Sequence, residues 1–367
     1  MLRRTLVIVC FLATLSMLTG CDKPVADNAK NETASGTGAK VDGSDSQGSD
    51  KQNTSLSGSV AVEGSSTVEP ISNRAKEVFN AEFPNVNISV SGQGTGNGFK
   101  ALAAGECDFS DASRPIKQKE LNGCNEKGIS FYEVPVAYDG LTVVVNKEND
   151  FVTQLSIEQL KKIFREDMAA KTWKDVDPSW PDEKISIYAP GTASGTHDYF
   201  VEVIGKKDGK RLRADEQTLL SEDDKQLVIG VQGDPFAIGF FGYSFYEANQ
   251  DELKSVAIVN PGNNEAVSPS MATIESGEYA PFSRPLFIYV NTTSYQKAEV
   301  KEFVDYYLAN VVEIVKHARY VPLPESIYEA AKGNIAKDCP GTHYLDSEGN
   351  KREGSLAEVF KPENLPE

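Results

Sequence analysis

The sequence predicts an α/β protein with largely parallel strands, folded as two lobes. Two observations carry this reading. One unit recurs along the chain: an apolar strand, a small turn of Gly, Ser and Thr, then an amphipathic helix. The chain beyond about residue 58 is also too long for one small core and suits two.

The elements follow in order. Ser59 to Gly64 reads as a strand entering a turn, and Ile71 to Phe83 as a helix, with Ile71, Ala75, Val78 and Phe79 at helical spacing. Val86 to Val90 alternates as a second strand. Gly92 to Gly98 is a Gly-rich turn before a helix from Phe99 to Ala104, and Cys107 to Ser110 is a short buried strand. Val134 to Asn146 contains the apolar strand Leu141 to Val145. Ser156 opens a helix, Ile185 to Tyr188 is a strand, Pro190 to Thr196 is its turn, and His197 to Ile204 begins the next helix. Ile238 to Tyr243 and Leu286 to Asn291 are strands, and Val300 to Leu308 and Val311 to His317 are amphipathic helices. From Asp338 the chain is polar and rich in turns, which predicts a peripheral extension over 338–367.

The N-terminus speaks to compartment. Met1 to Arg4 is basic, Leu6 to Leu18 is apolar, and Leu18-Thr19-Gly20-Cys21 follows, the pattern of a secretory signal over 1–20. The apolar run falls short of the roughly 20 residues that span a bilayer. The tetrapeptide resembles the lipobox of bacterial lipoproteins, which implies acylation of Cys21 and a protein held at a membrane outside the cytoplasm. Asp22 to about Ser57 lacks apolar periodicity, so 21–57 reads as a disordered tether with a reach of roughly 30–36 Å. The net charge of −17 excludes nonspecific binding to nucleic acid and requires any anion site to work through local donors. Of five Cys, Cys107 and Cys124 would close the shortest loop as a disulfide, with Cys339 left odd, although spacing alone does not fix the pairing. Three His and no Cys-x-x-Cys offer no metal centre, and no cofactor is expected.

Three segments share one design. Gly64-Ser65-Ser66-Thr67, Gly94-Thr95-Gly96-Asn97-Gly98 and Thr192-Ala193-Ser194-Gly195-Thr196 each lead from a strand into a helix. The first N–H groups of a helix lack internal partners and carry the positive end of its dipole. Gly admits an oxyanion closely, and Ser and Thr add hydroxyl donors. Any one segment is an ordinary helix cap; three together fit convergent anion capture.

These segments, with Ser110-Asp111-Ala112-Ser113-Arg114-Pro115, Ala137-Tyr138-Asp139-Gly140-Leu141 and Arg284-Pro285-Leu286-Phe287-Ile288-Tyr289-Val290-Asn291, resemble the phosphate-binding proteins of bacterial phosphate-specific (Pst-type) ABC transporters. The resemblance runs from about Gly58 to Ala331. It implies a type II periplasmic binding protein fold, with lobe 1 over 58–141 and 286–332, lobe 2 over 146–284, and two crossing strands between them. It also implies a monomer that hands inorganic phosphate to a membrane permease. Carried over residue by residue, phosphate would meet Ser66, Thr67, the backbone of Val68, Thr95, Ser194, Gly195 and Thr196. Two positions depart from one version of the pattern: Ser113 stands where some members have Asp, and Pro190 where they have Arg. Arg114 could restore the cation. Asp139 is the first candidate to accept the phosphate proton, followed by Asp198 and Asp111. Such a carboxylate would leave sulfate, which carries no proton at neutral pH, repelled.

Rival readings are a hydrolase, a signalling or adhesive surface protein, and a binder of another oxyanion. Ser194 and His197 are three apart, but no nucleophile elbow or His/Asp metal cluster accompanies them.

Overall fold

The structure, a computed structural model, describes residues 55–192, 194–205, 209–221 and 223–365. The signal over 1–20, Cys21 and the tether as far as residue 54 lie outside the described residues.

The described residues begin with β1 (Gly58–Gly64), α1 (Glu69–Glu82), β2 (Val86–Ser91), α2 (Thr95–Ala104), β3 (Phe109–Ala112) and α3 (Gln118–Glu126). It then enters the long strand β4 (Phe131–Asn146). Next come β5 (Gln154–Leu155), α4 (Ile157–Phe164), α5 (Trp173–Val176), β6 (Ser186–Pro190), α6 (Gly195–Ile204), β7 (Thr218–Ser221), α7 (Asp224–Gly233), β8 (Ala237–Gly242) and α8 (Tyr243–Glu247). Short pieces β9 (Leu253–Ser255), β10 (Ala257–Val259), β11 (Ala266–Val267) and α9 (Met271–Glu275) lead to β12 (Ser283–Asn291). The chain closes with α10 (Ala298–Ala309), α11 (Val311–His317), α12 (Glu325–Ala336) and α13 (Leu356–Val359).

The main sheet runs β2-β1-β3-β12-β4-β8-β6-β7, with β9 also on β4. Its two halves meet in one strand. Residues Phe131 to Gly140 of β4 pair antiparallel with β12, and Leu141 to Val145 pair antiparallel with β8. Within each half the remaining strands are parallel: β2, β1 and β3 on one side, β8, β6 and β7 on the other. β4 and β12 are therefore the two crossing strands, and the fold is the two-lobed type II arrangement. Every residue of β4 is buried, as a strand serving two sheets must be.

Local chemistry explains the helices that face the middle. α1 starts with Pro70 in its first turn and buries Ile71, Ala75 and Phe79 at helical spacing. α6 is capped by Ser194, whose Oγ accepts from the Thr196 N–H at 3.2 Å. α2 begins at Thr95, not at Phe99, so Thr95 to Gly98 form its first turn. Gly94, at φ +100°, supplies the left-handed entry that an L side chain would resist.

Two expectations are corrected here. Over its described part, 338–365, the C-terminal segment is not peripheral: Tyr344, Leu345, Leu356, Val359 and Phe360 are all buried in the main core. Its polar composition masked a few large apolar anchors and one buried network. Glu133 of β4, 3 % exposed, accepts from Tyr289 Oη (2.8 Å), Thr342 Oγ1 (2.5 Å) and the His343 N–H (2.9 Å), with His343 Nδ1 at 3.0 Å. Tyr289 Oη also accepts the Ile116 N–H at 3.0 Å, which links the network to the loop after β3. The second correction concerns Cys107 and Cys124, which are free buried thiols rather than a disulfide. Burial is the main cause that lifts both thiols, to about 12 and about 11.

Candidate functional site

The strand-to-helix turn Gly64-Ser65-Ser66-Thr67 of lobe 1 faces the α6 N-terminus of lobe 2 at close quarters. A Cβ on Gly195 would lie 2.7 Å from Thr67 Cα, so only Gly permits this approach. Ser66 Oγ donates to Asp198 Oδ2 across the cleft at 3.1 Å. Thr67 is buried; its N–H donates to Ser65 Oγ at 3.2 Å and its Oγ1 accepts from Arg284 at 3.3 Å. The Val68 N–H is bonded to Ser65 O at 3.1 Å, inside the turn.

Arg284 is the cation that sequence reasoning missed. It lies opposite Asp139 in the β12–β4 register, on the paired crossing strands. Its Nε donates to Asp139 Oδ2 at 3.3 Å and its Nη1 to Glu202 Oε2 at 2.9 Å. The guanidinium lies 3.6 Å from the centroid of the Tyr199 ring, and Tyr199 Oη is held by Pro281 O at 2.7 Å. Burial opposes the Arg284 charge, but Asp139, Tyr199 and Glu202 outweigh it and hold the guanidinium above its ordinary value. Asp139 is 2 % exposed; burial raises its carboxyl above the usual range, while Arg284 pulls the other way. The signal in the sequence was a charged residue heading the apolar run Leu286 to Val290, a placement that makes sense only beside a buried partner.

The proposed cation Arg114 lines a cavity together with Ser113 and Arg284, and is paired with Glu120. Its two terminal nitrogens grip Glu120 at 2.9 and 2.7 Å, and the guanidinium packs 5.5 Å from the Phe99 ring centroid. Thr95 and Ser113 come together: the Ser113 N–H donates to Thr95 Oγ1 at 3.1 Å, and the two hydroxyls lie 3.1 Å apart. Thr95 thus fastens the loop after β3 to α2.

Of the three candidate carboxylates, Asp139 is the one buried beside a cation. The Asp198 side chain is 56 % exposed. Asp111 sits behind the first turn, where it accepts from Ser72 Oγ at 2.9 Å and is held well above the usual carboxylate range, chiefly by burial. A cavity of about 220 Å³ is lined by Asp139, Ser194, Gly195 and Thr196, with Arg319 and Asp224 at its wall. Arg284 and Ser113 border a second cavity of about 420 Å³. The first cavity offers the α6 N-terminus, hydroxyls, Arg319 and the buried Asp139, and the Arg284–Asp139 contact joins it to the second. That is an inventory for an oxyanion that carries a proton.

The shared sheet, the paired crossing strands and the cleft between them define a two-lobed solute-binding protein. The chain belongs to the PBP superfamily and, within it, to the phosphate-binding proteins of Pst-type ABC transporters. A family model described as a PBP superfamily domain matches residues 43–311. The protein SphX of Synechococcus elongatus is 43 % identical over 308 residues, covering 83 % of this chain and 89 % of its own. The phosphate-binding protein PstS of Staphylococcus haemolyticus is 42 % identical over 283 residues, covering 77 % and 86 %. A solved structure described as a possible phosphate-binding protein, from Planctomyces limnophilus, superposes with a TM-score of 0.73 at 42 % identity, over 77 % of this chain and 99 % of that one. An ABC-type phosphate transport receptor from Vibrio cholerae shares the fold with a TM-score of 0.54 at 23 % identity, over 72 % of this chain and 100 % of that one. The family binds substrate for transport and is not an enzyme family.

Proposed function

We propose that this protein captures inorganic phosphate between its lobes and presents it to the permease of an ABC transporter, without chemistry on the ligand. The observation that carries the proposal is the pairing of partly buried Arg284 with buried Asp139: Arg284 reaches Thr67 of one lobe, and Asp139 lines a cavity with the α6 N-terminus of the other. Ser66, Thr67, Arg284, Ser194, Gly195 and Thr196 supply the donors. Thr95 and Ser113 hold the neighbouring loop in place. Asp139 accepts the hydrogen bond from the proton of hydrogen phosphate, and the same carboxylate repels sulfate. Closure follows because the anion gains contacts to both lobes only when they meet.

The protein works outside the cytoplasm as a monomer, anchored by an acylated Cys21. Fatty-acid labelling that is lost in Cys21→Ala, with the protein released from membranes, tests the anchor; retention of the unlabelled variant at the membrane would sink it.

Calorimetry of the mature protein with phosphate and sulfate tests the ligand. One phosphate per chain and no measurable sulfate binding is expected. Tight sulfate binding without preference for phosphate would defeat the assignment.

A further inference from the structure

The loop that follows α11 carries a side chain across the cleft mouth. Arg319 has a left-handed backbone, φ +65°, at the position after a helix where Gly is the usual occupant. Its N–H caps the helix by donating to Lys316 O at 3.0 Å, and Tyr320 N–H donates to Val315 O at 3.0 Å. Two residues on, Val321 bridges Tyr138 of β4, with N–H to O bonds of 3.1 and 2.8 Å in the two directions. The backbone of this loop is thus fixed to lobe 1 and to a crossing strand.

Its side chain is engaged by the other lobe. Nη1 lies 3.4 Å from Asp224 Oδ2, in the first turn of α7, and the guanidinium sits 4.5 Å from the centroid of the Phe245 ring on α8. Arg319 and Asp224 line the same cavity as Asp139 and Ser194 to Thr196. A non-Gly residue held in a left-handed conformation, beside a binding cleft, with its charge on the far lobe, is placed for more than surface solvation.

We propose that Arg319 is an interlobe latch: it engages Asp224 and Phe245 only when the lobes are closed, and so slows the escape of bound anion. This rests on the phosphate reading above. The closed state alone gains these contacts, so the latch acts chiefly on the dissociation rate. Half of the Arg319 side chain is exposed, so its ion pair is weak and salt-sensitive. With the aromatic contact added, loss of the latch should speed release about five-fold.

Stopped-flow measurement of phosphate association and dissociation tests this on wild type, Arg319→Gly, Asp224→Asn and the double variant. Arg319→Gly keeps the left-handed backbone accessible, and melting of the ligand-free protein checks that the fold is intact. The latch predicts dissociation about five-fold faster in Arg319→Gly, faster dissociation in Asp224→Asn as well, and a double variant no faster than Arg319→Gly, whereas slower release in Asp224→Asn would mean that Arg319 holds the anion directly and overturns the latch. It also predicts that added salt speeds release from wild type more than from Arg319→Gly. Unchanged dissociation in Arg319→Gly, or equal salt response in the two proteins, overturns it. Absence of phosphate binding to wild type would instead overturn the reading beneath it.

Discussion

Arg284 and Asp139 face each other across the two crossing strands, register partners with Nε 3.3 Å from Oδ2. This pairing puts a cation and a carboxylate at the point where the lobes join.

Replacement of Arg284 tests the cation. The planar fork holds Asp139, Glu202 and Thr67 together, and Lys offers a single point charge. Arg284→Lys should weaken phosphate binding by about 2 kcal/mol, and Arg284→Met by about 3–5 kcal/mol, in the range of a lost buried charge contact. Calorimetry reads both. Arg114→Met, which loses the Glu120 pair, the bond to Pro115 O and the cation contact with Phe99, should weaken phosphate binding less than Arg284→Met.

Gly195→Ala tests closure. Its Cβ would meet the Thr67 backbone at 2.7 Å with the lobes as they stand here, while Ala suits the α6 helix itself. Phosphate affinity should fall by about 1–3 kcal/mol, the range for overpacking. The ligand-free melting temperature should hold. Small-angle scattering with phosphate should show the variant staying open where wild type compacts.

Much of this was legible in the sequence. Strand, turn and helix periodicity marked the elements around the cleft, because apolar spacing and Gly-rich turns are local signals. Val311 to His317 was read to the residue. α3, α7 and α12 were not read, because polar residues occupy their exposed faces and the apolar spacing is diluted. The site divided in the same way. The hydroxyl-rich turns announced themselves, but Arg284 did not, since its meaning lies in a partner 145 positions away. Arg114 was the more conspicuous cation, and it stands on the same cavity as Arg284, paired with Glu120.

Stability should respond to pH through two buried carboxyls. Asp111 and Asp139 are both held above the ordinary range, mainly by burial. The folded protein thus binds these protons more tightly than the unfolded chain. Their contribution is full below the unfolded value near 4 and is lost as pH rises through the folded values. Asp111→Asn keeps an acceptor for Ser72 and removes one titration. Urea unfolding from acidic to neutral pH should therefore show a shallower decline in Asp111→Asn than in wild type; parallel curves would contradict this.

The C-terminal segment should be required for stability. Deletion of 339–367 strips Glu133 of Thr342 and His343 and leaves it with Tyr289. An uncompensated buried carboxylate costs about 3–5 kcal/mol before the lost apolar contacts are counted. Glu133→Gln in the truncated chain should recover part of the loss. Urea midpoints of the three proteins check the order.

The most direct test of the central claim is a crystal structure of the mature protein grown with phosphate. The account predicts one phosphate between the lobes, with oxygens in hydrogen-bonding reach of Arg284, Thr67 Oγ1 and the Gly195–Thr196 N–H groups, and with one oxygen facing Asp139. An anion bound elsewhere, or a cleft that stays empty at saturating phosphate, would contradict it.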